Sequence, residues 1–415
     1  MPRFLPFQRY LLPLLWVGIL LLTLLSLTRA VTLAYGERGG WDLHPYWFYG
    51  HFVRAGMNPY EAYAEQTALP SGLFYIDGSE VPAEPASATK LGQNVANTAS
   101  YLLFVWPLSF FPWPVAKSIW LVFNFVLMAI TPWMALRLLP PSLRLERSLA
   151  WLTALSFYAM KAPRIILASG QTSLAIFNLM MVALLLRQRY WVLSGLALGI
   201  ALGKYSLALP VFLFLLYEKR FRVLGVAVGV QVLALTVVTA MGDYSLLQTA
   251  QVNLSMITRH ATRNGVHIGY MLREFPLLAN LLIAIITGCT FWFIWRSRQR
   301  GWLTAHLLPV NSALALWVLL PAYHGSHDSI VVLLFLILCL SAATRWQLPQ
   351  SQAQRFGLIW LFAFGLMTLP GELVTQVLDG EQARLVLDLI EGAMTLSIIG
   401  MLGFNLWLLP RVPRV

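Results

Sequence analysis

Charge is scarce in this 415-residue chain: 11% of residues are Asp, Glu, Lys or Arg, 58% are hydrophobic, and the mean hydropathy is +0.68. A water-soluble globule with a polar shell is thereby excluded. Cysteine is nearly absent. Cys289 and Cys339 both sit inside apolar runs, which excludes a disulfide framework and offers no metal-binding spacing. Acidic residues are outnumbered by basic ones and the net charge is +12. Nucleic acid is still not an expected partner, because the basic residues lie in short clusters between apolar runs and no RNA or DNA motif accompanies them. Also missing are the glycine-rich phosphate signatures of nucleotide sites, an obvious repeat, a low-complexity tract and a soluble domain.

What remains is apolar length. Runs of roughly 20 residues, enough to cross a hydrocarbon core, recur from near the N-terminus to residue 409. Helices are the economical way to satisfy their backbone groups, so the expected fold is an all-α polytopic membrane protein, one domain over residues 1–415. The first run, about Tyr10 to Leu33, follows Arg3 and Arg9 as a signal peptide would. It is too long and lacks a small-x-small cleavage site, and so reads as a retained helix. With the N-terminus in the cytoplasm, returns to that side are marked by Arg137/Arg144/Arg147, Arg187/Arg189, Lys219/Arg220/Arg222, Arg296/Arg298/Arg300, Arg345/Arg355 and Arg411/Arg414.

About twelve crossings then fit, with two departures. Residues 97–111 are apolar but only about 15 long, and read as a re-entrant or interfacial helix. The run 190–218 has basic clusters at both ends and should go out and come back, turning near Gly203-Lys204-Tyr205-Ser206. Gly195, Gly199 and Gly203, spaced by four, would let its first half pack closely on a neighbour. Nearly all acids and histidines fall on the outer side of this map, although neither was used to draw it. One face is expected to hold the titratable chemistry.

Two loops dominate that face. Residues 34–98 form the first, in which Pro45 to Ala55 reads as a short interfacial amphipathic helix capped by Gly56 and followed by an Asn58-Pro59 turn. Residues 242–275 form the second and carry Arg259, His260, Arg263, His267 and Arg273. The densest polar segment, Trp41-Asp42-Leu43-His44-Pro45-Tyr46, follows the first span and leads through Tyr49 to Gly56-Met57-Asn58-Pro59-Tyr60. A carboxylate accompanied by several cations points to a site that deprotonates a hydroxyl and holds an anionic phosphate.

Asp42 is the expected base, against the alternative of a helix cap or a paired loop acid. Lys204, deep in an apolar run, fits a phosphate partner or a side chain snorkelling to the interface. His324 and His327 flank a turn with Asp328; phosphate contact, a structural role and metal ligation all remain open for so short an H-x-x-H-D spacing. Arg259 and Arg263 could meet substrate or anionic headgroups. Gln171 fits a substrate contact or a polar wedge between helices. Trp41, Tyr46 and Tyr49, with His44 among them, would make a platform for a sugar ring.

The pattern D-x-x-x-Y…G-x-N-P-Y, here Asp42, Tyr46 and Gly56 to Tyr60, resembles the polytopic glycosyltransferases of family 87, which have the GT-C architecture. The resemblance continues through Pro107, Pro112, Trp120 and Asn124, Ser169-Gly170-Gln171, Gly195-x-x-x-Gly199…Lys204 and the His324/His327 turn. In one place the chain departs: the family's Tyr-Pro-Pro-like element is replaced by Tyr101-Leu102-Leu103, with Pro107 later. The resemblance implies an inverting transferase of a bacterial inner membrane, taking a sugar, often mannose, from a polyprenyl-phosphate donor on the outer side. The acceptor would be a lipid or glycan, and the other partners membrane lipids. The family's base maps onto Asp42, and its donor-phosphate contacts onto Lys204 and His324 or His327. No cofactor or metal is implied. The competing readings are a transporter or flippase of a lipid-linked sugar and a non-catalytic assembly subunit. The transporter would need coupling charges at mid-span and often repeated halves, neither of which the chain shows.

Overall fold

A computed structural model describes residues 8–36, 39–65, 98–260, 267–299, 307–321, 324–346, 349–368 and 380–409; the side chains of 8–12, 257–260, 297–299, 380–381 and 383–385 are outside the description. Among the described residues there are helices and no strands. In chain order they are α1 Gln8–Tyr35, α2 His44–Arg54, α3 Pro59–Glu65, α4 Ala99–Val105 with a 3-10 turn Trp106–Phe110, α5 Trp113–Leu136, and α6 Arg147–Ala159. Then follow α7 Lys161–Ser169, α8 Ser173–Leu186, α9 Trp191–Ala201, α10 Tyr205–Tyr217, α11 Phe221–Thr239, α12 Leu246–His260 and α13 Ile268–Met271. The last are α14 Pro276–Gln299, α15 Leu307–Val318, α16 Val332–Arg345, α17 Gln350–Thr368 and α18 Gly380–Leu408.

Among the described residues seven helical runs are long and apolar enough to cross a membrane, or eight if α7 and α8, bent by 117° at their junction, count as one. About twelve crossings were expected. The difference arises because several apolar segments are only half-length, among them Ala99–Phe110 and Leu307–Val318.

One of the seven runs, Trp191–Tyr217, is not a straight rod. As a continuous helix its 27 residues would extend about 40 Å. Yet Arg187, just before it, meets Glu218, just after it, at 2.9 Å, and the Arg187 guanidinium also lies 5.9 Å from the Phe214 ring. The two ends are therefore adjacent, and α9 and α10 form a hairpin that turns through the 3-10 residues Leu202–Lys204. Lys204 leaves helical geometry there, with φ −108° and ψ 72°. At the tip Lys204 Nζ donates to Ser173 Oγ at 2.8 Å, at the opposite end of α8 from Arg187. This is the out-and-back path read from the flanking basic clusters.

The chain divides into two compact units, residues 30–127 with 165–263 and residues 1–29 with 128–164 and 264–415. In the first, α9 packs tightly on α11. A Cβ at Gly195 would lie 2.5 Å from Val226 Cβ, and one at Gly199 2.6 Å from Val230 Cβ. Gly203, the third of the stripe, instead abuts Tyr101 of α4. The end of α9 exposes carbonyls that need donors inside an apolar environment. Gln231 of α11 supplies one, its Nε2 donating to Gly199 O (2.5 Å) and Ser100 Oγ (2.6 Å), while the Thr98 N–H donates to Gly203 O (2.9 Å). Helix α2 is buried on every side, from Tyr46 through Val53, rather than presenting one polar face. In the second unit α15 and α16 are the core, buried along nearly their whole length, and Asn405 of α18 shares a hydrogen bond of 2.7 Å with Ser312 of α15.

Two stability predictions follow from these contacts. Arg187 and Glu218 have side chains only 8% and 2% exposed. Arg187→Met removes the shorter of two ion pairs of a buried carboxylate that Arg220 also meets at 3.3 Å and should cost about 1–3 kcal/mol, and the double change Arg187→Met/Glu218→Met should cost less. Melting curves in detergent read both; a double variant weaker than the single would contradict the pairing. His51 is buried against Trp47, and burial, followed by Arg54 and His44, lowers its pKa from 6.5 to about 4. On acidification the unfolded chain binds this proton first, so stability should fall as pH drops from 6.5 to 4, by at most about 3 kcal/mol. His51→Phe should flatten that slope.

Candidate active site

The site in the first unit is organised by the α7–α8 break at Gly170-Gln171-Thr172. Gly170 adopts φ +69°, which an L side chain rarely does, and the helix axis turns through 117°. Ending α7 there frees consecutive carbonyls, and each finds a donor from far along the chain. Gly40 N–H donates to Ala168 O (3.1 Å), Asp42 N–H to Ser169 O (2.8 Å), and Trp120 Nε1 to Gly170 O (2.9 Å). The approach is close enough that a Cβ at Gly170 would stand 3.0 Å from Leu43 Cβ and 3.3 Å from Gly40 Cα.

Asp42 is thus fixed by its own main chain onto the break. Its carboxylate is half-exposed and makes no hydrogen bond or ion pair among the described residues. Among the described residues it is neither a helix cap nor a paired loop acid. Beyond the break α8 begins at Ser173, whose hydroxyl receives Lys204 Nζ. Asp42 and Lys204, over 160 positions apart in sequence, are therefore tied to the two sides of one three-residue turn. Gln171 lies within that turn, and its Oε1 accepts from the Thr172 N–H (2.8 Å) and hydroxyl (3.1 Å), capping the start of α8.

The aromatic residues divide. Trp41 is 56% exposed beside Asp42 and is the available apolar surface. Tyr46 is buried, edge-on to Tyr101 at 5.3 Å, and Tyr101 in turn packs on Gly203 next to Lys204. Tyr49 is 1% exposed, with its ring against Phe48 and Phe52. His44 is buried edge-on to Trp113 at 4.8 Å. Tyr49 and His44 hold α2 in place and do not present a face to solvent. Asn58 Oδ1 accepts from Tyr60 N–H (3.0 Å), while its Nδ2 donates to Thr249 (3.1 Å), latching the end of the motif to α12.

His324 and His327 belong to the other unit. His324 Nδ1 lies 2.9 Å from Asp328 Oδ2 and His327 Nε2 3.6 Å from Asp328 Oδ1, so one carboxylate is shared by both rings. His324 is fully buried, and its Nε2 has no hydrogen-bond partner among the described residues. Gly325 leaves the space that the His327 ring fills. Among the described residues no group of three or more His, Cys, Asp or Glu side chains is arranged to hold a metal ion. Arg263 and the side chain of Arg259 lie outside the described residues.

Sequence reasoning met Tyr101 only as a departure from a family element and missed Ser173 and Lys117 of α5. Ser173 carries no recognisable spacing, whereas Lys117 lies at helical intervals from Trp113, Trp120 and Asn124. The model of a family described as glycosyltransferase family 87 matches residues 97–321, more than half of the chain. That stretch contains the α7–α8 break and Lys204; Asp42 precedes it and the 324–328 turn follows it. No curated protein and no solved structure matches the chain.

Gly170→Ala tests the docking directly. Strain at φ +69° and contact with Leu43 should cost about 1–2 kcal/mol and loosen the segment 40–43. Hydrogen–deuterium exchange should show faster exchange at the Gly40 and Asp42 amides; unchanged protection there would contradict the docked arrangement.

Proposed function

The chain belongs to glycosyltransferase family 87, and from that premise we propose that it moves a hexose, with mannose favoured, from a polyprenyl-phosphate donor to a lipid or glycan acceptor. The reaction is placed on the outer face of a bacterial inner membrane, within a GT-C-like arrangement of helices. The observation that carries the reading is the Asp42 carboxylate, unpaired among the described residues and pinned by its N–H to Ser169 O, on the turn that also receives Lys204.

In this mechanism Asp42 takes the proton of an acceptor hydroxyl as its oxygen attacks C1 of the donor sugar. The C1–O bond to the phosphate breaks, polyprenyl phosphate leaves with the electron pair, and a single displacement inverts the anomeric carbon. A base already engaged in an ion pair would be a poorer proton acceptor, and Asp42 is not so engaged. Lys204 is assigned to the departing phosphate, where a fixed ammonium stabilises charge that builds in the transition state. For His324, His327, Arg259 and Arg263, contact with the donor phosphate is carried over from the sequence reading alone. Its oriented partner Asp328 makes His324 the better-held of the two histidines. Trp41 would stack on a sugar ring, and Tyr46 and Gln171 would shape the floor beneath it. With its lipid tail held between helices, only the reacting ends of the donor remain to be positioned.

Asp42→Asn keeps the main-chain bond to Ser169 and removes only the basicity. Transfer of radiolabelled mannose from polyprenyl phosphate should fall by about 10²–10⁴-fold with unchanged melting temperature. Normal transfer by this variant would remove Asp42 from the role of base.

A further inference from the structure

We propose that Lys117 is a second phosphate-binding cation of the Asp42 site, contacting the phosphate of the lipid carrier; this rests on the polyprenyl-phosphate reading given above. Trp113, Lys117, Trp120 and Asn124 share one face of α5, being separated by four, three and four residues. That face looks onto the site: Trp113 packs on His44, and Trp120 donates to Gly170 O. Lys117 lies between them. Its stem crosses Gly40 so closely that a Cβ there would be 2.9 Å from Lys117 Cδ and 3.1 Å from Cγ. Gly40, at φ +79°, stands two residues before Asp42, so the absence of a side chain there makes room for the Lys117 stem beside the segment that carries Asp42.

The Lys117 ammonium is half-buried near the start of an apolar helix and makes no hydrogen bond or ion pair among the described residues. Asp42 shares the same turn but does not pair with it. Keeping the two charges apart serves the chemistry, since a Lys–Asp pair would engage the base and the cation at once. A cation in such a setting gains most from an anion that arrives with the substrate. Lys204, in contrast, already donates to Ser173. The two lysines approach from different helices: Lys117 on α5 lies against Gly40, whose N–H docks on Ala168 O at the end of α7, and Lys204 at the tip of the α9–α10 hairpin donates to Ser173. A phosphate held from two directions would be fixed in place as well as neutralised.

The test uses the full chain in detergent, with undecaprenyl phosphate, undecaprenol and phosphatidylglycerol as probes. Lys117→Met keeps the stem over Gly40 and removes the charge. It should weaken undecaprenyl phosphate binding by about tenfold and leave undecaprenol binding unchanged, whereas Lys117→Arg should retain most of the affinity. Lys117→Gln serves as a second neutral variant if the Met variant melts early. Wild-type affinity for undecaprenyl phosphate in both neutral variants overturns the proposal. So does a loss confined to phosphatidylglycerol, which would make Lys117 an anchor for bulk headgroups. A wild-type protein that binds phosphate and alcohol equally would instead overturn the polyprenyl-phosphate reading itself, and this proposal with it.

Discussion

A backbone carbonyl freed inside an apolar helix must find a donor, because no water is at hand to supply one. The first unit is organised by two such places. Where α7 stops, Ala168, Ser169 and Gly170 offer their oxygens to Gly40, Asp42 and Trp120. Where α9 stops, Gly199 and Gly203 offer theirs to Gln231 and Thr98. Each break would be a liability alone. Each is made stable by recruiting chain from elsewhere, and the recruited chain carries the polar side chains. The position of the site is thus a by-product of satisfying the main chain.

The three-helix stack α8–α9–α10 divides its labour between its ends. At one end the Arg187–Glu218 pair, joined by Arg220 at 3.3 Å, closes the hairpin with charges almost wholly buried. Those charges are paired with one another. At the other end Lys204 sits on a hydroxyl, a weaker partner that a phosphate can supplement. The same length of helix thus separates a buried ion pair from a lysine that donates to a hydroxyl.

Some of this was legible in the sequence for clear reasons. The glycine spacing of α9 registers directly as close packing, because a missing Cβ is visible residue by residue. Basic clusters on both sides of 190–218 gave the hairpin, since charge resists burial whatever the tertiary fold. Asp42 stood out because acids are rare beside spans. The bend at Gly170 was not legible: Ser169-Gly170-Gln171 looks the same whether it wedges between helices or turns a chain through 117°. Nor was the burial of α2, whose dense aromatics suit an interface as well as a protein core. Lys117 was hidden by its setting, a single charge in an otherwise apolar run whose importance depends on Gly40 arriving opposite it. The count of about twelve crossings is not reached among the described residues, because apolar length does not distinguish a full span from a half-span.

The carbonyls that hold Asp42 are contributed by residues roughly 130 positions downstream, and this sets an order for biogenesis. When α1 and the loop after it leave the ribosome, the acceptors at Ala168 and Ser169 have not been synthesised. The segment around Asp42 can pack on Trp113 and Lys117 once α5 is made, but its main-chain hydrogen bonds must wait until α7 has broken into α8. Lys204 joins later still, with the hairpin. The α7–α8 turn with its docked segment is therefore among the last parts of the first unit to be completed, although Asp42 is among the first residues made. A nascent chain arrested before residue 170 would present an intact Asp42 with no site around it.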